Sequence, residues 1–367
     1  MLQPFILIGV GGSGGKTVRA VRQNLKWKLE QMGRTELPKG WQFLHIDAPT
    51  SPDGIDFPAP LVPQEDYLSV VPRGLSYRQV HDRAVNGLGS EIAKEAMRPL
   101  PAPPDVTVPI ELGAGALRGI GRTLLVAGLK EVSDRVRDMI SQATGQGSDA
   151  ELAELTRQLG FKVGVPAGSP TIIVISSVAG GSGAGMFIDV CEAAKAAVGP
   201  KDAAHRIFSL LYAPDVFEEL GPKAMAAMVP NSMGALSELV SGFWRGMPVQ
   251  ATMSTYKQKG LTVPTDDKST IGPGFNYVLG RRNGGANAID FGSQQGVYLA
   301  VASSITAWMT DARVQDNLTA YAVANFQAQS ANLPDNSLLK PTGKGQPLSS
   351  LGFARVSLGT EKFFEYA

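Results

Sequence analysis

The sequence predicts an α/β fold built on a parallel sheet with helices on both faces. Short apolar runs of strand length alternate with longer segments in which apolar residues recur at helical spacing. Clusters of glycine stand between several of these strands and helices. Strands that alternate with helices form parallel sheets, which bind ligands beyond the carboxyl ends of their strands. We therefore expect the glycine clusters at the ligand-binding edge of the sheet.

Six segments have the composition of buried strands, and a seventh follows near the end of the sequence. They are predicted over residues 4–10, 41–49, 105–112, 171–177, 206–214 and 275–283, with the last over 349–358. The first is a continuous apolar run, as expected of a strand that is covered on both faces. The second ends at Asp47, and the third runs into a glycine loop.

Helical periodicity follows most of these strands. In the first helix, Val18, Val21, Leu25 and Leu29 recur at helical spacing. Further helices are predicted over residues 77–96, 123–142, 186–198 and 289–309, with a partly helical segment over 215–244 and a glycine- and proline-rich insertion over 245–274. The helix over 289–309 is apolar enough to lie in the core.

The composition excludes several classes of partner. A formal net charge of +1 over 367 residues gives no electrostatic reason to expect nucleic acid or an anionic membrane. No apolar run approaches the roughly 20 residues that a membrane-spanning helix needs. Cys191 is the only cysteine, which excludes an internal disulfide and fits a cytoplasmic protein. The three histidines have no metal-ligand spacing.

The first glycine cluster permits three interpretations. Gly9, Gly11 and Gly14 have the spacing G-x-G-x-x-G, so that backbone amides at a helix start could hold a phosphate. The same residues could instead form a tight turn. A P-loop, G-x-x-x-x-G-K-S/T, would need glycine where Val10 stands. A dinucleotide-binding fold stays open, with Asp47 at the end of the second strand as the acid that contacts a ribose.

Two further glycine clusters, at residues 113–121 and 179–185, favour a polyphosphate ligand. A dinucleotide fold uses its glycine fingerprint once, whereas three loops could surround a single polyphosphate with backbone amides. Each helix start adds roughly half an elementary charge, so that basic side chains are not required. We expect glycine at these positions because side chains would block the phosphates.

Residues 179–185, AGGSGAG, closely resemble the signature loop of the tubulin and FtsZ superfamily, with Ser182 where threonine is usual. Other segments resemble the family in the same order. They are IGVGGSGGKTV, HIDAP and GAGALRGIGR for the nucleotide loops, PDVFEE for the ribose loop, and LGRRN and DFGSQQGVYLAVASSI for the base-binding strand end and central helix. The resemblance spans Phe5 to about Met309. It implies a Rossmann-like GTP-binding domain, similar to divergent bacterial tubulin-like proteins.

The resemblance implies GTP or GDP as the ligand, together with Mg²⁺. Backbone amides would hold the phosphates, namely those of Gly11, Gly12, Ser13, Gly14 and Gly15, of Gly113, Ala114, Gly115 and Ala116, and of Gly180, Gly181, Ser182, Gly183, Ala184 and Gly185. Asp47, which precedes Ala48, would lie near the phosphates and the magnesium ion, or serve as a cap or turn residue. Lys16 would either neutralise a phosphate or lie solvated in the first turn of its helix.

The resemblance also places residues at the ribose and the base. Pro214 and Glu218 belong to the ribose loop, although Glu218 could equally be a first-turn helix acid. Asn283 would contact the base or ribose, or form an ordinary turn. Phe291 would stack on guanine or pack in the core. Gln295, one helical turn later, stands where the family usually has Asn or Asp, and its amide could pair with the base.

In tubulin-like filaments, hydrolysis takes place between subunits, and the resemblance therefore implies head-to-tail self-association with slow GTP hydrolysis. The family's N-x-D-x-x-D/E motif is absent after the central helix, where Asp311 and Asp316 are the only nearby acids that could position water. A GTP/GDP-binding switch or scaffold that does not polymerise is the alternative. We expect residues 1–310 to form the nucleotide-binding domain and 311–367 to form a linker and the start of a truncated second domain.

Overall fold

The structure is a computed structural model that describes residues 1–331 and 346–350, apart from short gaps. Outside the described set lie residues 53, 55–56, 99, 167, 200–201, 203–204, 243–246, 264–270 and 283–289, as do 332–345, 351–367 and the side chains of 247–249, 322–323, 325–331, 346–348 and 350. The predicted strand over 349–358 therefore falls mostly outside the described residues.

A seven-stranded, all-parallel sheet forms the centre of the molecule. Its strands are β1 (Phe5–Val10), β2 (Trp41–Asp47), β3 (Tyr67–Ser69), β4 (Thr171–Ser177), β5 (Ile207–Tyr212), β6 (Phe275–Leu279) and β7 (Gln346–Ser350). They lie in the order β3-β2-β1-β4-β5-β6-β7. Phe5 in the interior strand β1 pairs with Trp41 on one side and Thr171 on the other. The predicted α/β fold with a Rossmann-like parallel sheet is confirmed.

Helices cover both faces of the sheet. They are α1 (Gly11–Glu30), α2 (Tyr77–Val85), α3 (Glu91–Met97), α4 (Arg118–Ala127), α5 (Leu129–Ala143), α6 (Ser148–Gln158), α7 (Gly181–Val198), α8 (Pro222–Ser241), α9 (Met247–Gln258), α10 (Gln294–Thr310) and α11 (Ala312–Ala331). Alternate residues of β1 point to the two cores. Ile6 and Ile8 join a core with α4, α5, α7 and α8, and Phe5 and Leu7 join a core with α1, α6 and α10.

The strand predicted over residues 105–112 does not form. Two short 3₁₀ turns, Pro103–Asp105 and Ile110–Leu112, stand in its place, because the prolines in this stretch have no N–H to donate to a sheet. The third strand is instead β3, a three-residue segment that the apolar pattern did not reveal. The helix predicted over 77–96 is divided into α2 and α3 around Gly87, which has a positive φ of 81°.

Two of the three glycine clusters are helix starts, and the third, at residues 113–116, is a loop before α4. Helix α1 begins at Gly11 and α7 at Gly181, five residues before the start that was predicted for α7. The central helix is confirmed as α10. The division at residue 310 stays a prediction, and β7, which follows it, pairs with β6. Within the described residues, no helix combines the length and apolarity needed to cross a bilayer.

Candidate functional site

A cleft of about 280 Å³ lies at the carboxyl ends of β1, β2 and β4. Most of the residues predicted to hold phosphate line it, namely Gly11, Gly12, Ser13, Lys16, Asp47, Gly113, Ala114, Gly115, Gly180, Gly181, Ser182 and Gly183. Val10, Pro49, Leu112 and Ser177 also line it and were not predicted. The fold thus brings three separate glycine segments to one cavity, as expected for the carboxyl edge of a parallel sheet.

Some of the predicted phosphate-binding residues lie elsewhere. Gly14 and Gly15 are buried in the packing of α1, and Ala48 is buried behind Asp47. Ala184 and Gly185 line a second cavity on the other side of α7. These positions are within one or two residues of the cleft, but they are not part of its surface.

Two helix N-termini contribute to the cleft. Val10 and Gly180 precede α1 and α7, and neither residue provides a side-chain cap hydrogen bond. Neither helix has an acidic residue in its first turn. The first amides of a helix have no partner within it, and they carry the positive end of the helix dipole. Together the two N-termini form a site that is suited to an anion.

Several glycines of the site are required by close contact between backbone segments, a constraint that the sequence pattern did not reveal. A Cβ on Gly181 would lie 2.2 Å from the carbonyl oxygen of Gly115, and one on Gly14 would lie 2.1 Å from that of Ile175. On Gly15 it would collide with the ring of His45 at 2.2 Å. Other glycines of the site meet backbone or side-chain atoms in the same way, namely Gly11, Gly183 and Gly185. Gly180 differs, because a Cβ there would have no heavy atom within 4 Å.

Asp47 is the carboxylate of the cleft and is 4% exposed. Its Oδ1 accepts a hydrogen bond from the amide of Ala48 at 2.7 Å, and its Oδ2 lies 3.6 Å from Nε2 of His45. The described residues contain no cluster of three or more His, Cys, Asp or Glu that could hold a metal ion. Mg²⁺ often binds through one or two carboxylates and the phosphates of its nucleotide. A single carboxylate beside a phosphate site fits that kind of coordination.

Hydrogen bonds join the first turn of α1 to the central helix. The hydroxyl of Tyr298, on α10, donates to Oγ of Ser13 at 2.9 Å and accepts from Nε2 of Gln294 at 2.6 Å. One turn along α1, Thr17 Oγ1 and the buried hydroxyl of Tyr212 are 2.7 Å apart. These partners come from distant parts of the sequence, and no local motif indicated them.

The proposed ribose residues lie beside an ion-pair cluster. Pro214 begins a 3₁₀ helix, Pro214–Leu220, directly after β5. Oε2 of Glu218 is 3.0 Å from a guanidinium nitrogen of Arg282. Asp290 accepts from Nε of both Arg281 and Arg282 at 2.8 Å, and these hydrogen bonds hold the pKa of the Asp290 carboxyl well below its usual range. The cluster fixes the strand end after β6 against the entry to α10.

The proposed base-binding residues are accessible at the start of α10. Phe291 is 38% exposed, so it is not a core residue, and Gln295 is exposed one turn later. Neither lines the cleft at the ends of β1, β2 and β4. Asn283 lies outside the described residues.

The two candidate catalytic acids lie at the opposite end of α10. Asp311 precedes α11, and its Oδ1 accepts from the amides of Arg313 at 2.8 Å and Val314 at 3.4 Å. Partial burial alone would raise the pKa of Asp311. The hydrogen bonds and the Arg313 guanidinium outweigh that effect, so the pKa is lowered overall. Asp316 is exposed on α11. Tyr298, the α10 residue that contacts Ser13, stands 13 residues before Asp311, so about 20 Å of helix separates the two.

A larger cavity of about 350 Å³ lies on the other side of α7. Its charged lining residues are three carboxylates, Glu95, Asp189 and Glu238, and one guanidinium, Arg122. Arg122 is 3.8 Å from an oxygen of Asp189 and from one of Glu238. Burial raises the pKa of Asp189, and Arg122 partly offsets that effect. The excess of carboxylates makes this cavity unfavourable for a polyphosphate.

Comparisons with known proteins identify the family of the chain. No curated protein matches the chain. One similar solved structure is CetZ from Methanosaeta thermophila strain DSM 6194, with a TM-score of 0.45, 12% identity, and coverage of 89% of this chain and 59% of that one. Another is CetZ2 from Haloferax volcanii, described as a GTPgS-bound protofilament, with a TM-score of 0.42, 14% identity, and coverage of 84% and 58%. A family model described as "Tubulin like" matches residues 6–367. The chain therefore belongs to the tubulin-like family.

Proposed function

We propose that this protein binds GTP and GDP, with the phosphates in the cleft at the ends of β1, β2 and β4. One observation carries the proposal: the N-termini of α1 and α7, which have no acidic residue in their first turns, open into the same cavity as residues 113–115. Backbone amides are then the principal ligands of the phosphates, apart from the amide of Gly181, which donates to the carbonyl oxygen of Gly115. Asp47 would hold Mg²⁺ together with phosphate oxygens, and the ion would neutralise part of the phosphate charge.

The base and ribose would extend from the cleft toward the start of α10. Phe291 offers an exposed aromatic face for stacking, and the Gln295 amide could pair with guanine. Glu218 would accept from the ribose hydroxyls, together with Pro214 of the same 3₁₀ helix, and Asn283 would contact the base or ribose. Glu218 is paired with Arg282 in this structure. To bind the ribose, Glu218 would have to leave Arg282 or contact Arg282 and the ribose hydroxyls together.

For this protein we further propose nucleotide-dependent head-to-tail self-association in the cytoplasm, with slow GTP hydrolysis completed between subunits. Asp311 and Asp316 are too far from the cleft of their own chain to act there, so they could act only on the nucleotide of a neighbouring subunit. One observation favours the alternative of a switch or scaffold that does not polymerise: Asp311 is already engaged as the cap of α11.

Competition binding tests the proposal. The purified protein is titrated with a fluorescent GDP analogue, which is then displaced by GTP, GDP, ATP or NAD⁺. Displacement by GTP and GDP at concentrations at least tenfold below those of ATP is the expected result. Equal displacement by ATP would remove the guanine assignment, and tight binding of NAD⁺ would restore the dinucleotide interpretation. Sedimentation of the protein with GTP or GDP then separates self-association from the switch alternative.

A further inference from the structure

The side chain of Asn231 connects two walls of the phosphate cleft. Asn231 lies on α8 and is 8% exposed. Its Nδ2 donates to the carbonyl oxygen of Ala116 at 2.6 Å and to that of Ala179 at 3.0 Å. Ala116 is the last residue of the 113–116 wall, of which residues 113–115 line the cleft. Ala179 directly precedes Gly180 at the start of α7. One side-chain nitrogen therefore holds together two glycine segments that are about 60 residues apart in the sequence.

The 113–116 wall has few other anchors. Of residues 111–117, only Ala114 is buried. Gly113 and Gly115 have positive φ values of 131° and 55°, and such a stretch has a large conformational freedom to lose on ordering. One backbone hydrogen bond, from the amide of Gly181 to the carbonyl of Gly115 at 3.1 Å, links the wall directly to α7. The hydrogen bond from Asn231 is the second link between these two parts of the cleft.

Helix α8 is held in place independently of Asn231. Ala235 and Leu239 of α8 are fully buried in the core. Arg118 on α4 forms a two-nitrogen ion pair with Glu238, with one contact of 3.1 Å. The helix therefore provides a fixed support from which Asn231 can position the cleft.

Asparagine suits this position because its amide has two N–H donors on one uncharged atom. A serine hydroxyl has one donor, and a carboxylate has none. An ionised carboxylate would face two carbonyl oxygens and would also add a negative charge beside the phosphates.

We propose that Asn231 is a positioning residue that sets the separation between the 113–116 wall and the start of α7, and thereby the affinity of the cleft for nucleotide. The inference rests on the proposed nucleotide binding. Asn231 does not line the cleft, so it acts through the backbone that does.

Two substitutions test this role, with a matched control. Asn231→Ser retains one donor, and Asn231→Asp keeps the shape of the side chain but removes both donors when ionised. Asn317→Asp makes the same chemical change on the exposed surface of α11, away from the cleft. The dissociation constants of GDP and of GTP are measured at pH 8 and pH 5.5 for the wild type and all variants. Thermal unfolding without nucleotide is followed by circular dichroism.

Asn231→Ser is expected to weaken nucleotide binding about tenfold, the effect of one hydrogen bond. Asn231→Asp is expected to weaken it more at pH 8. Burial and the two facing carbonyl oxygens should raise the pKa of the introduced carboxyl above its usual range. Its deficit relative to the wild type should therefore shrink at pH 5.5, because a protonated carboxyl regains one donor. Asn317→Asp should follow the wild type at both pH values.

Unchanged nucleotide affinity in Asn231→Ser, or a deficit in Asn231→Asp that does not depend on pH, would overturn the positioning role. An Asn231→Ser protein that fails to fold would also overturn it, since α8 and the core would then depend on this side chain. If the wild type itself binds no guanine nucleotide, it is the proposed function that fails, so the two failures are distinguishable.

Discussion

Gly180 and Gly181 are adjacent, yet valine is expected to have different consequences at the two positions. At Gly180 the backbone has φ −78° and ψ 168°, which any residue adopts, and an added Cβ would have no heavy atom within 4 Å. At Gly181 a Cβ would lie 2.2 Å from the carbonyl oxygen of Gly115 and 2.9 Å from that of Ala114. Valine at 180 therefore projects into open space at the cleft, whereas valine at 181 forces two backbone segments apart.

The expected magnitudes follow from these contacts. Overpacking of a tightly packed site costs about 1–3 kcal/mol. The clash at Gly181 is with backbone, which a rotamer change cannot relieve, so we expect Gly181→Val to cost about 3 kcal/mol or more. That corresponds to roughly a hundredfold loss in the folding equilibrium and to a decrease of several degrees in Tm. A substitution in open space changes stability by about 0.5 kcal/mol or less.

Thermal unfolding and GDP titration separate the two effects. Gly180→Val should unfold at nearly the wild-type temperature and bind GDP at least tenfold more weakly, because its methyl groups occupy space beside the phosphates. Gly89→Val is the control, since Gly89 lies away from the cleft and its nearest contact for a Cβ is at 4.0 Å. Wild-type stability in Gly181→Val would refute the close backbone contact. Wild-type GDP affinity in Gly180→Val would refute the phosphate assignment.

Three further predictions concern other parts of the molecule. Asp311→Ala should destabilise the protein by about 1 kcal/mol in chemical denaturation, because Asp311 caps α11. Asp316→Ala should instead lower GTP turnover without changing stability or GTP affinity. Tyr298→Phe should cost about 1 kcal/mol by the same measurement, since the hydroxyl joins α10 to Ser13. Cys191 is fully buried and its thiol pKa is raised by burial, so a thiol reagent should label it only when denaturant is added. Equal stability of the Asp311→Ala and Asp316→Ala proteins would contradict the first prediction. Wild-type stability of Tyr298→Phe would contradict the second, and rapid labelling of Cys191 in the native protein would contradict the third.

The sheet and the location of the site could be predicted from the sequence because both depend on local patterns. Strands β1 and β4 are covered on both faces and are therefore apolar throughout, which is easy to recognise. In a parallel sheet every strand ends at the same edge, so a glycine cluster after a strand is assigned to that edge without knowledge of tertiary contacts. This explains why residues 11–13 and 180–183 were correctly expected at one edge of the sheet. Residues 113–115 also line the cleft, although the strand predicted before them does not form.

Short or proline-rich segments could not be predicted in this way. Strand β3 has three residues, fewer than any period-2 pattern needs to become visible. Residues 105–112 contain alternating apolar residues, but Pro109 interrupts them, and the chain forms 3₁₀ turns instead. Here the lack of a backbone donor outweighs the β propensity of valine and isoleucine.

The side chains that support the site also lacked a sequence signal. Asn231, on α8, donates to backbone carbonyls next to the cleft, and Tyr298, on α10, donates to Ser13 of the cleft. In both cases the partner is far away in the sequence. Their roles depend on how helices pack across the sheet, and such long-range contacts leave no spacing pattern around the residue itself. By contrast, the glycine residues were identified because they stand next to one another in the sequence.

The charges of the cleft show why its glycines matter for more than packing. Lys16 and Asp47 are its only charged lining residues among those described, so their formal charges cancel. An anion in the cleft must therefore be held mainly by backbone amides and by the dipoles of α1 and α7. The glycines allow the two helix starts and the 113–116 wall to approach within backbone contact, which concentrates the amides around one point. Close packing and the proposed anion binding are thus two results of the same backbone geometry, in a protein whose net charge is only +1.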